Sequence, residues 1–227
     1  MTLTDLKNRF RLMVAEATGI NDTDLLSLLN DGALDIARRT ECLLSYADQD
    51  VNDAQQEYDL PTDCIKVLSV YYGGTGEWEK LPEVTTEYLA NELGVDWLND
   101  TGETTAYYKR ANKIGLYKIP TSAEAGTSFL RIYHIEKPDA LSTGSDVPLN
   151  GQTQLYPYHE LLVIYAMYQA KKVMGKWEQA KVIEAEYLGK CMEAKIELQK
   201  LDDFMQPITP YYKGSSSISL KQNPLDQ

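Results

Sequence analysis

The sequence predicts an α+β protein in which N-terminal and C-terminal helix hairpins pack as a helical bundle, with a small antiparallel β unit inserted between them. Three observations support this prediction. Apolar residues recur at steps of three and four in residues 1–40 and again in residues 155–203, as in amphipathic helices. Short segments rich in β-branched and aromatic residues, separated by turn residues, fill residues 41–137. A chain of 227 residues has room for one large domain or two small ones.

The first 40 residues predict two helices, at about 3–18 and 22–40. Their apolar positions are Leu3, Leu6, Phe10, Met13, Val14 and Ala17 in the first helix, and Leu25, Leu26, Leu29, Ala33, Ile36 and Ala37 in the second. Gly19 marks the end of the first helix, and Asn21 offers a cap for the second. Gly32 weakens the second helix by about 1 kcal/mol relative to alanine. The pair is expected to form the N-terminal hairpin.

The β unit is predicted from seven strand segments and one short helix. Its strands are expected at 42–46 with 55–60, at 64–72 with 77–81, at 105–110 with 113–119, and at 127–135, which closes the sheet. Gly73 to Gly76 and Ala111-Asn112 lie at the turns of two hairpins. A helix is expected between Thr85 and Gly94.

The C-terminal part predicts a second helix pair. Residues 138–154 form a polar connection, after which one helix runs from His159 to Met174 and a longer one begins at Trp177. The longer helix has one apolar face, and its other face is expected to carry Glu and Lys. The predicted units are a helical bundle (1–40 and 155–203), an inserted β unit with a short helix (41–137), a connection (138–154) and an extended C-terminal arm (204–227).

The C-terminal arm is not expected to pack a core of its own, because residues 204–227 contain three prolines, one glycine and four serines. It nevertheless contains Phe204, Ile208, Tyr211, Tyr212, Ile218 and Leu220. So many apolar side chains indicate an arm that orders on a partner, with a passive terminus as the alternative.

Composition excludes several classes of protein. The formal charge is −12, which argues against general nucleic-acid binding and against docking on an anionic membrane. The charged N-terminal sequence lacks a signal-peptide run, and the longest apolar stretch, 161–168, is too short to span a bilayer.

Cys42, Cys64 and Cys191 are predicted to be reduced thiols in a cytoplasmic product. The 16 tyrosines suit strands and also protein interfaces.

No motif predicts catalysis, a cofactor or a metal site. The Gly73 to Gly76 cluster lacks the Gly-Lys-Ser/Thr ending of a phosphate loop. Asp48, Asp50 and Asp53 do not match the register of a calcium loop, so a solvated turn is expected. His134 and His159 are expected to be structural, because no nucleophile elbow accompanies them. A carboxylate-dependent hydrolase stays open as an alternative, without a residue to name.

The order of these elements resembles that of the head-to-tail adaptor (connector) proteins of tailed bacteriophages, including tail-tubular adaptors. The similarity covers about residues 3–203 and includes three short motifs. These motifs are Leu60-Pro61 before a hydrophobic strand, the Tyr107 to Tyr117 hairpin with its Gly-Leu-Tyr end, and the Tyr-His-Glu-Leu-Leu sequence from Tyr158 to Leu162. The family pattern often has a proline sooner after the tyrosine than Pro120 is here.

The resemblance implies a structural virion protein of the neck, made in the host cytoplasm and without enzymatic activity. Such adaptors form a ring, usually a dodecamer, on the portal protein. The ring extends the DNA channel, through which DNA passes without specific binding, and offers a platform to the next tail or neck protein. The C-terminal arm would bind the portal, and the β unit would face the tail. A non-viral cytoplasmic protein-interaction module is the other alternative to this function.

Overall fold

The computed structural model describes residues 1–14, 19–73 and 77–205, with the backbone alone for Val95 and for 201–205. Within these residues the helices are α1 (Leu3–Met13), α2 (Asp22–Thr40), α3 (Thr86–Leu93), α4 (His159–Val173) and α5 (Trp177–Met205). The strands are β1 (Leu44–Val51), β2 (Glu57–Asp59), β3 (Cys64–Tyr72), β4 (Glu79–Leu81), β5 (Ala106–Arg110), β6 (Lys113–Tyr117) and β7 (Gly126–Glu136). Short 3₁₀ turns lie at Val95–Asn99, Leu149–Gly151 and Thr153–Tyr158.

Local side chains fix where the first two helices begin and end. The hydroxyl of Thr2 accepts a hydrogen bond from the N–H of Asp5, and the Asp5 carboxylate accepts one from the N–H of Thr2, which forms a capping box. The side chain of Asn21 accepts from the N–H groups of Thr23 and Asp24. Each such cap stabilises a helix by about 1 kcal/mol. At the other end of α2, Glu41 adopts a left-handed conformation with φ of 56° and closes the helix.

Gly32 does not interrupt α2, because an aromatic ring of α4 takes the place of a side chain there. A Cβ atom at Gly32 would lie 2.9 Å from Cδ1 of Tyr165. The glycine therefore permits close helix–helix packing, which offsets its low helix propensity.

The helical layer has α4 at its centre. Helices α1, α2 and α5 all pack against α4, and α5 also packs against α2. Fully buried side chains from each helix meet there, among them Leu6, Phe10, Leu29, Leu162 and Tyr187. Helices α1, α2 and α5 therefore each bury apolar side chains against α4.

The strands form two antiparallel sheets. Sheet A has the order β1-β7-β3-β4, and sheet B has the order β2-β6-β5. Their inner faces share a second hydrophobic core, to which sheet A contributes Val70, Leu130 and Ile132 and sheet B contributes Ile114 and Leu116. The two sheets therefore stabilise each other by a core that is separate from the helical one.

The predicted architecture is wrong. The described residues form an α+β fold of five helices and two antiparallel sheets with seven strands in total, not a bundle of terminal helix hairpins with a small β unit. Helices α1 and α2 each take α4 as their main partner, so they do not build a hairpin on their own. The single predicted sheet is also divided in two, because β2 pairs with β6 whereas the long strands β1 and β3 both pair with β7.

The structure confirms several elements that the sequence patterns predicted. The strand predicted at 64–72 is β3, and it forms an antiparallel hairpin with β4. Strands β5 and β6 pair around Ala111 and Asn112, where Ala111 has a positive φ of 53°. Helix α3 begins after Thr85, whose hydroxyl accepts from the N–H of Tyr88. The predicted division of the chain at residues 1–40 with 155–203, 41–137, 138–154 and 204–227 stays a prediction.

The helical layer and sheet A are linked by Glu41. Its carboxylate lies 3.0 Å from Nζ of Lys66 on β3 and 2.9 Å from Nζ of Lys195 on α5. Hydrogen bonds from Lys195 and Lys66 lower the pKa of Glu41 despite partial burial. One carboxylate at the end of α2 therefore contacts both α5 and the start of β3.

Candidate functional site

Helix α5 exposes a row of apolar side chains, named here the α5 stripe and defined by Val182, Leu188, Met192 and Ile196. Val182 is 71% exposed and Met192 is 68% exposed, while Leu188 and Ile196 are 42% and 45% exposed. At 100° per residue these four positions lie within one third of the helix circumference. Ala185 and Gly189 lie between them, and a Cβ at Gly189 would meet no atom within 4 Å. The stripe is thus a smooth apolar surface.

The opposite face of α5 is buried in the helical core. Ala180, Tyr187 and Cys191 are at most 3% exposed. The hydroxyl of Tyr187 donates a hydrogen bond of 2.7 Å to the carboxylate of Asp35 on α2. Burial, followed by this contact with Asp35, raises the pKa of Tyr187 far above its usual value. Helix α5 is therefore apolar on two opposite faces, whereas the sequence pattern predicted that Glu and Lys would cover the outer one.

Charged side chains on α5 lie in ion pairs beside the stripe. Lys181 and Glu178 are 3.0 Å apart, and Lys190 and Glu186 are 2.9 Å apart. Such exposed pairs contribute little to stability. Each pair combines one lysine with one glutamate, so the charges beside the stripe are not all of one sign.

The outer face of sheet A carries an aromatic cluster, named here the sheet A platform and defined by Tyr46, Tyr71, Trp78, Arg131 and Tyr133. The ring of Tyr133 lies 5.8 Å from that of Tyr46 and 5.3 Å from that of Tyr71, the latter edge to face. Such aromatic pairs are favourable beyond the area they bury. The cluster spans β1, β7 and β3 and reaches the residue before β4.

Arg131 is held at the centre of the platform by three contacts. Its guanidinium lies 4.6 Å from the ring centroid of Tyr46 and 4.5 Å from that of Trp78. It also donates two hydrogen bonds, of 2.6 and 2.7 Å, to the two carboxylate oxygens of Asp48. The hydrogen bonds to Asp48 raise the pKa of Arg131, so its charge is permanent. Tyr, Trp and Arg are the residue types that contribute most to protein–protein binding.

A shallow apolar groove lies beside the platform and is named here the sheet A groove. It is lined by Leu44, Ser45, Tyr46, Leu68 and Tyr133. Leu44 is 46% exposed, Tyr46 is 56% exposed and Leu68 is 38% exposed. The register of β3 against β7 shifts between Val67 and Ser69, which places Leu68 at an irregularity in the strand. The groove opens to solvent on the outer side of sheet A.

The arm residues predicted from the sequence are not brought together by the described structure. Phe204 belongs to α5, of which only the backbone is described at that position. Ile208, Tyr211, Tyr212, Ile218 and Leu220 lie outside the described residues. Their binding role stays a prediction.

The acidic and histidine residues weighed as possible sites have structural contacts. Asp48 pairs with Arg131, and Asp50 accepts a hydrogen bond from the N–H of Ser128. His134 is buried, and its Nδ1 lies 3.2 Å from the carbonyl oxygen of Ile132. His159 is fully buried, with its Nδ1 3.0 Å from the amine of Met1. Gly74 to Gly76 lie outside the described residues.

The described part of the chain holds no cluster of three side chains suited to a metal ion. In the same part, no helix combines the length and apolar character that a bilayer-crossing segment needs. Cys42, Cys64 and Cys191 are free thiols, and burial raises the pKa of each.

The family model described as SU10 adaptor protein matches residues 1–211. The chain belongs to the SU10 adaptor protein family. This match confirms the resemblance to phage head-to-tail adaptors, and it gives the protein a phage adaptor role in broad terms. No curated protein matches the chain.

Sequence reasoning missed the α5 stripe and the sheet A platform of this SU10 adaptor protein. A signal for the platform was available, since Arg131 and Tyr133 alternate with Leu130 and Ile132 and therefore lie on the opposite face of β7. A signal for the α5 stripe was the spacing of four between Leu188, Met192 and Ile196.

Proposed function

We propose that this SU10 adaptor protein is a structural protein of the virion neck that assembles as a ring on the portal, a dodecamer as its family resemblance implies. The ring extends the DNA channel and provides the attachment platform for the next tail or neck protein. The observation that carries the proposal is the α5 stripe, because a protein that works alone gains nothing from a helix with apolar residues on two opposite faces.

Ring assembly would bury the α5 stripe between neighbouring subunits. Full burial of a Val, Leu, Ile or Met side chain is worth about 1.5–3 kcal/mol. Val182 and Met192 are more than two thirds exposed, at 71% and 68%, and so have most of that gain still available. In a ring the same contact repeats at every subunit boundary, so a modest contact is multiplied.

The net charge of −12 supports passage of DNA without binding. A protein binds DNA nonspecifically by releasing counterions with a basic face. An acidic ring repels phosphate instead, which lets DNA slide through the channel.

The C-terminal arm would bind the portal through Phe204, Ile208, Tyr211, Tyr212, Ile218 and Leu220. Ordering the arm costs about 1–2 kcal/mol per residue in backbone entropy, which contacts with the portal must offset. Free subunits gain no such contacts, so assembly would begin on the portal.

Removing the arm is expected to abolish head-to-tail joining. A chain ending at Asp203 keeps the described cores but lacks all six arm residues. We expect it to remain folded by circular dichroism and to add no mass to portal rings. In vitro joining of heads to tails measures the effect, and full joining efficiency with the shortened chain would contradict the role of the arm.

A charge placed on the α5 stripe is expected to block ring assembly. In mass photometry, the free wild-type protein should be a monomer, and mixing with portal rings should add the mass of a full ring. Met192→Glu should reduce the added mass, because a carboxylate would be buried at each subunit contact.

Leu12→Glu is the matched control for this substitution, since Leu12 is 84% exposed on α1 and the charge change is the same. Leu12→Glu should assemble as the wild type does. If Met192→Glu assembles equally well, the stripe is not the subunit contact. If the wild type forms a small oligomer indifferent to the portal, an interaction module with a different partner is favoured over the adaptor ring.

A further inference from the structure

The sheet A groove lacks an occupant among the described residues, although its walls are those of a peptide-binding surface. Leu44, Tyr46, Leu68 and Tyr133 supply an apolar floor with two aromatic rings. Grooves lined by aromatic rings are the usual receptors for proline-rich segments, which bind as a polyproline II helix. The chemistry of the groove therefore points to an extended peptide with prolines.

The chain itself contains such a peptide immediately after α5. Residues 206–213 lie outside the described part and read Gln-Pro-Ile-Thr-Pro-Tyr-Tyr-Lys. A polyproline II helix has three residues per turn, so Pro207, Pro210 and Lys213 would share one face. Two prolines spaced by three form the PxxP pattern that aromatic grooves bind.

The length of this segment in a polyproline II helix matches the length of β1. In polyproline II the rise is about 3.1 Å per residue, so about 19 Å separates Pro207 from Lys213. Along a strand the rise is about 3.4 Å per residue, so about 20 Å separates Leu44 from Asp50. If Pro207 lies at Leu44 and Pro210 lies near Tyr46, then Lys213 reaches the level of Asp48 and Asp50.

Charge also matches at that end. Asp48 and Asp50 follow Tyr46 on the same face of β1, since alternate residues of a strand share a face. Residues 206–227 contain Lys213, Lys221 and Asp226, a charge of +1, within a chain whose total is −12. Asp48 is already paired with Arg131, whereas Asp50 accepts, among the described residues, only a backbone N–H and keeps a carboxylate charge that Lys213 can meet.

The groove lies within reach of the segment that follows α5. Lys195 is fixed beside sheet A by its 2.9 Å contact with Glu41, which also contacts Lys66, two residues before Leu68. Because Tyr187 contacts Asp35 and Lys195 contacts Glu41, α5 runs parallel to α2, and its last ten residues continue past the end of α2 by about 15 Å. Two extended residues add at most about 7 Å to Pro207. Leu44 is only three residues from Glu41 in the sequence, which is about 10 Å at full extension.

We propose that residues 206–213 bind the sheet A groove of the same chain, with Pro207 and Pro210 against Tyr46 and Tyr133 and with Lys213 beside Asp50. Tethering favours this site over one on another copy, because it keeps the segment at a high local concentration. Ile208 and Tyr211 lie on another face of the bound helix, and Ile218 and Leu220 lie beyond it. Those residues stay available to a partner, so the contact does not depend on the ring or on the portal.

Photo-crosslinking of the full chain tests the proposal without any portal. A benzoylphenylalanine probe replaces Tyr46 in one protein and Tyr88 in a second. Tyr88, on α3, is the matched control, because the two side chains are 54% and 56% exposed. After irradiation, mass spectrometry identifies the crosslinked peptides. We expect the Tyr46 probe to crosslink to residues 206–213 in a product of monomer mass, and the Tyr88 probe not to do so.

Substitutions in the segment complete the test. Pro207→Ala together with Pro210→Ala should lower the crosslink yield at Tyr46 to the level of the Tyr88 control, and Lys213→Glu should lower it while Lys213→Arg should not. A Tyr46 crosslink that leads elsewhere, or that is insensitive to the prolines, would overturn the proposal. A crosslinked product of dimer mass would overturn the assignment to the same chain.

Discussion

Replacing Gly115 by alanine is expected to lower the free energy of unfolding by about 2–3 kcal/mol. Gly115 lies in the middle of β6, directly opposite Tyr108 on β5. A Cβ atom at this position would lie 2.0 Å from Cζ of Tyr108. The ring cannot move aside easily, because Tyr108 is 1% exposed and packs edge to face against Trp97 at 5.3 Å. The strand or the ring would have to shift, and sheet B would lose part of its packing.

The matched control is Gly189→Ala on the exposed side of α5. No atom lies within 4 Å of a Cβ built there. Alanine favours helix over glycine by about 1 kcal/mol, so this substitution should stabilise the protein. Urea unfolding of the two variants measures both effects. Equal changes in the two variants would show that the contact between Gly115 and Tyr108 is not as close as the structure has it.

Acidification is expected to destabilise the protein through His159. Burial, followed by the nearby ammonium of Met1, lowers the pKa of His159 from 6.5 to about 4. Between these two values the unfolded histidine is protonated, whereas the folded one is neutral. The unfolded state then binds more protons, so the free energy of unfolding decreases as the pH falls through this range. At 1.36 kcal/mol per pKa unit the full loss from this residue is about 3 kcal/mol.

His159→Gln isolates this contribution from that of the carboxylates. Glutamine is polar and does not titrate, so the variant should lose less stability than the wild type between about pH 7 and pH 4. Urea unfolding over that range gives the free energy of unfolding for both proteins. If the two pH profiles are parallel, the titration of His159 does not contribute to acid sensitivity.

Local sequence patterns predicted the elements of this fold better than their arrangement. The β-branched and aromatic residues of Cys64–Tyr72 and the turn at Ala111 predicted β3 and the β5–β6 hairpin, because both signals are contained in a few neighbouring residues. The pairing of β7 with β1 and β3 depends on residues far apart in the chain, which periodicity does not identify. The same limit applies to α1, whose apolar face was clear but whose partner α4 was not.

The candidate surfaces depended on contacts that no single segment contains. Arg131 is held in place by an ion pair with Asp48 on β1 and by a cation–π contact with Trp78, the residue before β4. These residues are far apart in the sequence and come together only when the sheet forms. The stripe on α5 was hidden because Glu and Lys are interspersed with Leu188 and Met192, which reads as an ordinary solvent face. The structure shows that Tyr187 and Cys191 are the α5 residues packed in the helical core. Leu188 and Met192 can therefore be recognised as part of a second apolar row on the outside of the helix.

The contacts of Glu41 are one path by which force applied to α5 would reach sheet A. A pull along α5 reaches β3 through Lys195, Glu41 and Lys66, in addition to the contacts of α5 with α2 and α4. These two ion pairs are partly exposed and individually weak, so under tension they break before the hydrophobic cores separate. Salt screens them further. We therefore expect the mechanical stiffness between α5 and sheet A to decrease with ionic strength, and the hydrophobic contacts within the helical layer to be less sensitive to salt.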